Sequence, residues 1–97
     1  MMITFFTTEN DGSMRYYSVH NRQPHFFSKY SFTTIWGMDQ GSGRERVYTF
    51  QTRREMDAKL REIFNDRTKR GYKVLYSYAK NKKYREMFKE VSQMNAG

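Results

Sequence analysis

Two periodicities divide the chain. From Ile3 to Thr8, β-branched and aromatic residues run together and predict a strand. Asn10-Asp11-Gly12-Ser13 follows as a hairpin turn, because Asp-Gly accepts positive φ at little cost. Met14 to Asn21 predicts the returning strand, Tyr17 and Val19 alternating with Tyr16, Ser18 and His20. The single proline, Pro24, then breaks the pattern: it lacks a ladder donor and pushes Gln23 toward an extended conformation. Phe26 to Trp36 predicts a third strand, and Gly37, Gly41 and Gly43 crowd the loop after it. Arg44 to Gln51 alternates again as a fourth. Strands joined by such short turns make an antiparallel meander with at least one covered face.

The period then changes. Thr52-Arg53-Arg54-Glu55 fits a capping box, and Met56, Leu60, Ile63 and Phe64 follow at helical spacing. Arg67, Lys69 and Arg70 complement the dipole at the end of that helix, and Gly71 supplies a left-handed cap. Tyr72 to Tyr78 reads as a further short strand. Lys80 to Met94 reads as a second helix, with Tyr84, Met87, Phe88 and Val91 on one face. The expected class is α+β: an antiparallel sheet of four to five strands with helices, and no internal repeat.

Composition changes what the core must be made of. In 97 residues, Val, Ile and Leu number nine, against seventeen aromatics and seven methionines. A chain this short carries one thin core, here built from rings and thioethers. An aromatic fraction of 18% argues against disorder despite the charge. The absence of cysteine excludes disulfides, thiolate nucleophiles and iron–sulfur clusters. No apolar run approaches the length of a membrane span, and Met2 to Phe6 is too short for a signal-peptide core. A small, soluble, cytoplasmic domain is the expectation.

The net charge of +8 is distributed unevenly. Residues 1–40 hold three bases and three acids, whereas residues 41–97 hold fifteen bases and seven acids. The whole surplus therefore lies in the second half, as a cationic face for a polyanion or as a solubilising surface. Catalytic groups are scarce. His20 and His25 flank the Pro24 break with no acid or nucleophile nearby in sequence, and read as surface or hydrogen-bonded structural histidines. Most acids adjoin bases, as in Arg44-Glu45-Arg46 and Arg61-Glu62, which suits exposed ion pairs better than metal ligation. The glycine-rich loop from Gly37 to Gly43 lacks the Lys-Ser/Thr ending of a phosphate-binding loop and joins two strands. No catalytic residue, cofactor or metal is expected. By contrast, Arg44, Arg46, Arg53, Arg54, Lys69, Arg70 and Lys73 lie near the ends of elements, where long cations reach phosphate oxygens. Trp36 has two readings, a core anchor or a platform on which a sugar or base stacks.

The order of these features resembles the WGR domain, named for a Trp-Gly-Arg signature, and especially its compact bacterial versions. The resemblance runs through Tyr16-Tyr17-Ser18-Val19, Gln23-Pro24-His25-Phe26-Phe27, Tyr30-Ser31-Phe32, Trp36-Gly37-Met38, Gly41, Val47-Tyr48-Thr49-Phe50 and Lys69-Arg70-Gly71-Tyr72. It covers roughly residues 3 to 75, so residues 1–79 form a WGR-like domain and 80–97 a C-terminal helical extension. The resemblance implies an antiparallel sheet with one helix packed across it. In poly(ADP-ribose) polymerases this domain binds DNA near strand breaks, its Trp packing on a sugar of the terminal nucleotides. By position, the resemblance gives Trp36 the stacking role and Gly37 the tight turn. Met38 stands where the signature Arg is expected, and Met makes no charge-assisted bond to phosphate. Arg44 or Arg46, just past the loop, would have to compensate.

The resulting expectation is a non-enzymatic nucleic-acid-binding module, for DNA rather than RNA. Its site is Trp36, Gly37, Arg44, Arg46, Lys69, Arg70 and Lys73. The alternative is a protein-interaction or adaptor domain, docking a partner or a second copy through residues 84–91 of the C-terminal helix. An exposed apolar patch on that helix would favour the alternative.

Overall fold

A computed structural model describes residues 1–22, 29–38 and 43–96. Pro24, His25, the expected start of the third strand at Phe26 and the Gly41 part of the glycine-rich loop lie outside the described residues. The elements run β1 (Met2–Thr8), β2 (Met14–His20), β3 (Tyr30–Met38), β4 (Arg44–Phe50), α1 (Arg53–Lys69), β5 (Lys73–Tyr78) and α2 (Lys82–Ala96). The strands form one antiparallel sheet in the order β4-β3-β2-β1-β5. The fold is α+β, with α1 packed across the sheet and α2 at the C-terminal end.

Local chemistry sets most of the boundaries. Gly12 takes φ +89° in the β1–β2 turn, where the Asp11 carboxylate accepts from the Ser13 amide at 2.9 Å and hydroxyl at 2.6 Å. Those bonds hold the Asp11 carboxyl below its ordinary pKa. The Thr52 hydroxyl accepts from the Glu55 amide at 3.2 Å and starts α1. At its other end Gly71, again at φ +89°, lets its own amide reach the Thr68 carbonyl and that of Tyr72 reach the Arg67 carbonyl. This is the paired closure of a Schellman motif.

Alternation gives the sheet two distinct faces. Ile3, Phe5, Tyr17, Val19, Phe32, Thr34 and Val74 meet the helices, joined by Met56, Leu60, Ile63 and Phe64 of α1. Phe64 links the layers, its ring 5.7 Å from Phe5 and 5.8 Å from Phe88. From α2, Tyr84, Met87, Phe88 and Val91 are only 4, 2, 3 and 4% exposed. They complete the same core, so the apolar face proposed for a partner at residues 84–91 is spent within the chain. Rings and thioethers do fill this core, as the composition requires.

Three features depart from the expectation. First, β3 continues through Gly37 and Met38, which pair with Tyr16 and Arg15. Gly37 is therefore a strand residue rather than a tight turn, because β2 is long enough to extend the ladder past Trp36. Second, the register between β1 and β5 shifts after Thr4, leaving Leu75 as an extra, exposed residue. That bulge turns Val74 toward the helices and puts Tyr76 and Tyr78 on the opposite face. Third, Asp57 is buried, although a charged residue ordinarily stays exposed. Its Oδ1 accepts from the Tyr84 hydroxyl at 3.2 Å, and Lys83 Nζ lies 2.8 Å from Oδ2, pinning the start of α2 to α1. Among the described residues no helix is long and apolar enough to cross a membrane.

Candidate nucleic-acid interface

Trp36 is the third residue from the end of β3 and shares a sheet face with its cross-strand neighbours. On one side stands Tyr17 of β2, the two rings stacked at 6.1 Å and 23°. On the other stands Arg44 of β4, directly opposite in the ladder. Exposure rises along this row: Tyr17 is buried, Trp36 partly buried and Arg44 exposed. Trp36 thus occupies the margin of the core, with packing on the Tyr17 side and a cation on the other.

Aromatic and cationic groups alternate around it. The Arg67 guanidinium, from the last turn of α1, lies 4.2 Å from the Tyr17 ring centroid and 5.3 Å from that of Tyr72. Arg46 sits 4.7 Å over Tyr48, two residues along β4. A planar guanidinium is weakly hydrated and stacks on rings readily, which holds these side chains in place. Burial, above all, pushes the Tyr17 phenol above its ordinary pKa, so the ring stays neutral at physiological pH. Beside Tyr17 and Tyr48 lies a cleft of about 220 Å³, bordered by Lys59, Glu62, Asp66 and Arg67. Its charges pair off, Lys59 with Glu62 at 3.1 Å and Arg67 with Asp66 at 3.3 Å. The cationic surplus at this end must come from Arg44, Arg46 and the residues around the end of α1.

The seven residues singled out from sequence fall into two groups. Trp36, Arg44 and Arg46 come together on the helix-covered face near the β4 edge, with Gly37 next along β3. Lys69 and Arg70 lie at the end of α1, and Lys73 opens β5. Arg70 is paired with Asp66 at 3.1 Å. Lys73 pairs with Phe6 in the ladder and so faces away from Trp36. Both groups lie at the same end of the sheet. Between β3 and β5 are three strand spacings, about 14 Å. Arg53 and Arg54 lie at the far end, where α1 begins.

Sequence reading passed over Tyr17, Arg67 and Tyr72 as members of this cluster. Only Tyr17 carried a usable signal, as an inward residue of β2 opposite the end of β3. His20 is structural: its Nδ1 accepts from the Arg22 amide at 3.3 Å, and burial is the main cause holding its pKa below the ordinary value.

Comparisons with curated proteins and with solved structures return no match for this chain. A family model described as the WGR domain matches residues 2–79, from the first residue of β1 to just past the end of β5. That span contains the whole sheet, α1 and the Trp36 cluster, and it leaves out only α2. With its meander, its crossing helix and Trp36 at the sheet end, the chain belongs to the WGR domain family, a family known for nucleic-acid binding.

Proposed function

We propose that this chain is a non-enzymatic module that binds DNA, at the backbone and at strand ends, through the Trp36 end of its sheet. The observation carrying this reading is the cross-strand pair of Trp36 and Arg44 beside Arg46, a ring at the margin of the core next to two cations. Trp36 offers stacking area, and Arg44 and Arg46 offer donors for phosphate oxygens. Lys69 and Arg70 add cations at the same end of the sheet, and Lys73 adds one there on the opposite face. A protein-adaptor role through α2 loses its support, because the apolar face of that helix is buried against α1 and β5.

The test is a titration of labelled blunt, nicked and single-stranded DNA, and of RNA, at two salt concentrations. Saturable binding that weakens with salt supports the reading, with duplex DNA preferred to RNA. No binding to any of the four at low salt overturns it. Each neutralised phosphate contributes about 0.9 to the slope of log affinity against log salt on duplex DNA. Replacing Lys69, Arg70 and Lys73 with Ala is expected to flatten that slope by about 1.8 to 2.7, the lower figure applying if Arg70 stays with Asp66. An unchanged slope removes this group from the interface.

Met38 tests whether the signature position works here. It lies opposite Arg15 in the ladder, is 36% exposed, and Arg15 is already paired with Glu9. Met38→Arg is expected to tighten duplex binding several-fold and steepen the salt slope by about 0.9, one added phosphate contact. No gain would mean that DNA does not pass over this position.

A further inference from the structure

A second cavity, of about 550 Å³, opens at the end of the sheet remote from Trp36. It is bordered by Arg22 after β2, Arg53 at the start of α1 and Lys80 before α2, together with Tyr76, Tyr78 and Tyr84. Three cationic side chains line it, and no carboxylate is among its described lining residues. The acid within reach of Tyr84, Asp57, is buried and occupied by Lys83 and the Tyr84 hydroxyl. Among the described residues Arg22, Arg53 and Lys80 form no ion pair, which leaves their charge available to an incoming anion. The Arg53 guanidinium lies 5.9 Å from the Tyr84 ring. The bulge at Leu75 leaves Tyr76 and Tyr78 53% and 50% exposed, two large rings on one side of the edge strand β5. Asn21 and Asn81 add uncharged hydrogen-bonding groups to the lining.

We infer that this cavity binds a single nucleotide, its phosphate held by Arg22, Arg53 and Lys80 and its base against Tyr76 or Tyr78. The volume lies within the range of small-ligand clefts. An anion alone would use the three cations and leave the exposed tyrosines unexplained. A nucleotide uses both, since cations bind its phosphate and every base has a face that stacks on a phenol ring. The nucleotide arrives either free or as one unit of a single strand. The site goes beyond duplex binding at the Trp36 end and shares no residue with it.

The experiment uses the full chain and follows binding of AMP, adenosine, inorganic phosphate and fluorescently labelled dT10. The variants are Arg22→Gln with Lys80→Gln, Tyr78→Ser, and Trp36→Ala. AMP or dT10 is expected to saturate the wild-type chain, with adenosine and inorganic phosphate at least tenfold weaker than AMP. The double Gln variant should lose at least tenfold in affinity at an unchanged thermal midpoint, because both side chains are exposed and form no ion pair among the described residues. Tyr78→Ser should lose several-fold, and Trp36→Ala should retain the affinity for AMP. Saturation by AMP identifies a free nucleotide as the ligand; saturation by dT10 alone, with the same dependence on Arg22 and Lys80, identifies a strand unit. Inorganic phosphate binding as tightly as AMP would overturn the proposal, as would undiminished affinity in the double Gln variant or no binding of either probe. Duplex titration of the same variants keeps the two ends apart: the double Gln variant should bind duplex DNA normally even where it fails with AMP.

Discussion

Deleting residues 80–97 is expected to leave a chain that no longer unfolds cooperatively, even though the family match ends at residue 79. The reason is the size of the core that α2 supplies. Tyr84, Met87, Phe88 and Val91 are each less than 5% exposed. Full burial of a large apolar side chain contributes roughly 1.5–3 kcal/mol, so the four together contribute on the order of 6–12 kcal/mol. A domain's entire net stability is about 5–15 kcal/mol. Removing α2 also uncovers Phe64, which bridges Phe5 and Phe88, and strips Tyr84 and Lys83 from Asp57. A broad, non-cooperative thermal transition and a tendency to aggregate are the expected readouts. A truncated chain with the wild-type midpoint and solubility would show that α2 is not part of the core.

Trp36→Ala is expected to weaken duplex DNA binding by about 1–3 kcal/mol, roughly 5- to 150-fold. The same change should cost stability less than the 3–5 kcal/mol typical of a fully buried ring, because Trp36 lies at the margin of the core. Trp36→Phe keeps an aromatic face and should recover part of the binding. Affinity at fixed salt and the denaturation midpoint, measured on the same preparations, separate the two effects. A large loss of stability with unchanged DNA affinity would make Trp36 a core anchor alone.

Features encoded over short stretches were legible in the sequence. The Asp11-Gly12 turn, the Thr52 cap and the Gly71 closure each depend on neighbours within a few residues, and the inward stripe of α1 follows from its spacing. What escaped was set by distant partners. Gly37 and Met38 resemble loop residues until Tyr16 and Arg15 are seen to extend the ladder. Tyr76 and Tyr78 look like continued alternation from Val74, and only the pairing with Thr4 and Phe5 reveals the bulge. Asp57 occupies an ordinary helical position, and its burial depends on Lys83 and Tyr84 some 26 and 27 residues later. For the candidate site, Trp36, Arg44 and Arg46 were recognisable as a group, since they flank one hairpin. The basic second half was misleading as a single face. Because α1 spans the length of the sheet, it carries Arg53 to one end and Lys69 and Arg70 to the other.

Trp36 is the chain's only tryptophan, so its fluorescence reports on one position. The most direct measurement titrates that emission with a short blunt duplex at low salt, in the wild-type chain and in a variant carrying Arg44→Gln and Arg46→Gln. DNA binding at this end of the sheet predicts saturable quenching in the wild type, with the midpoint shifted to markedly higher DNA concentration in the double variant. Emission that does not change while a labelled duplex demonstrably binds would place the DNA elsewhere on the molecule and contradict the role assigned to Trp36.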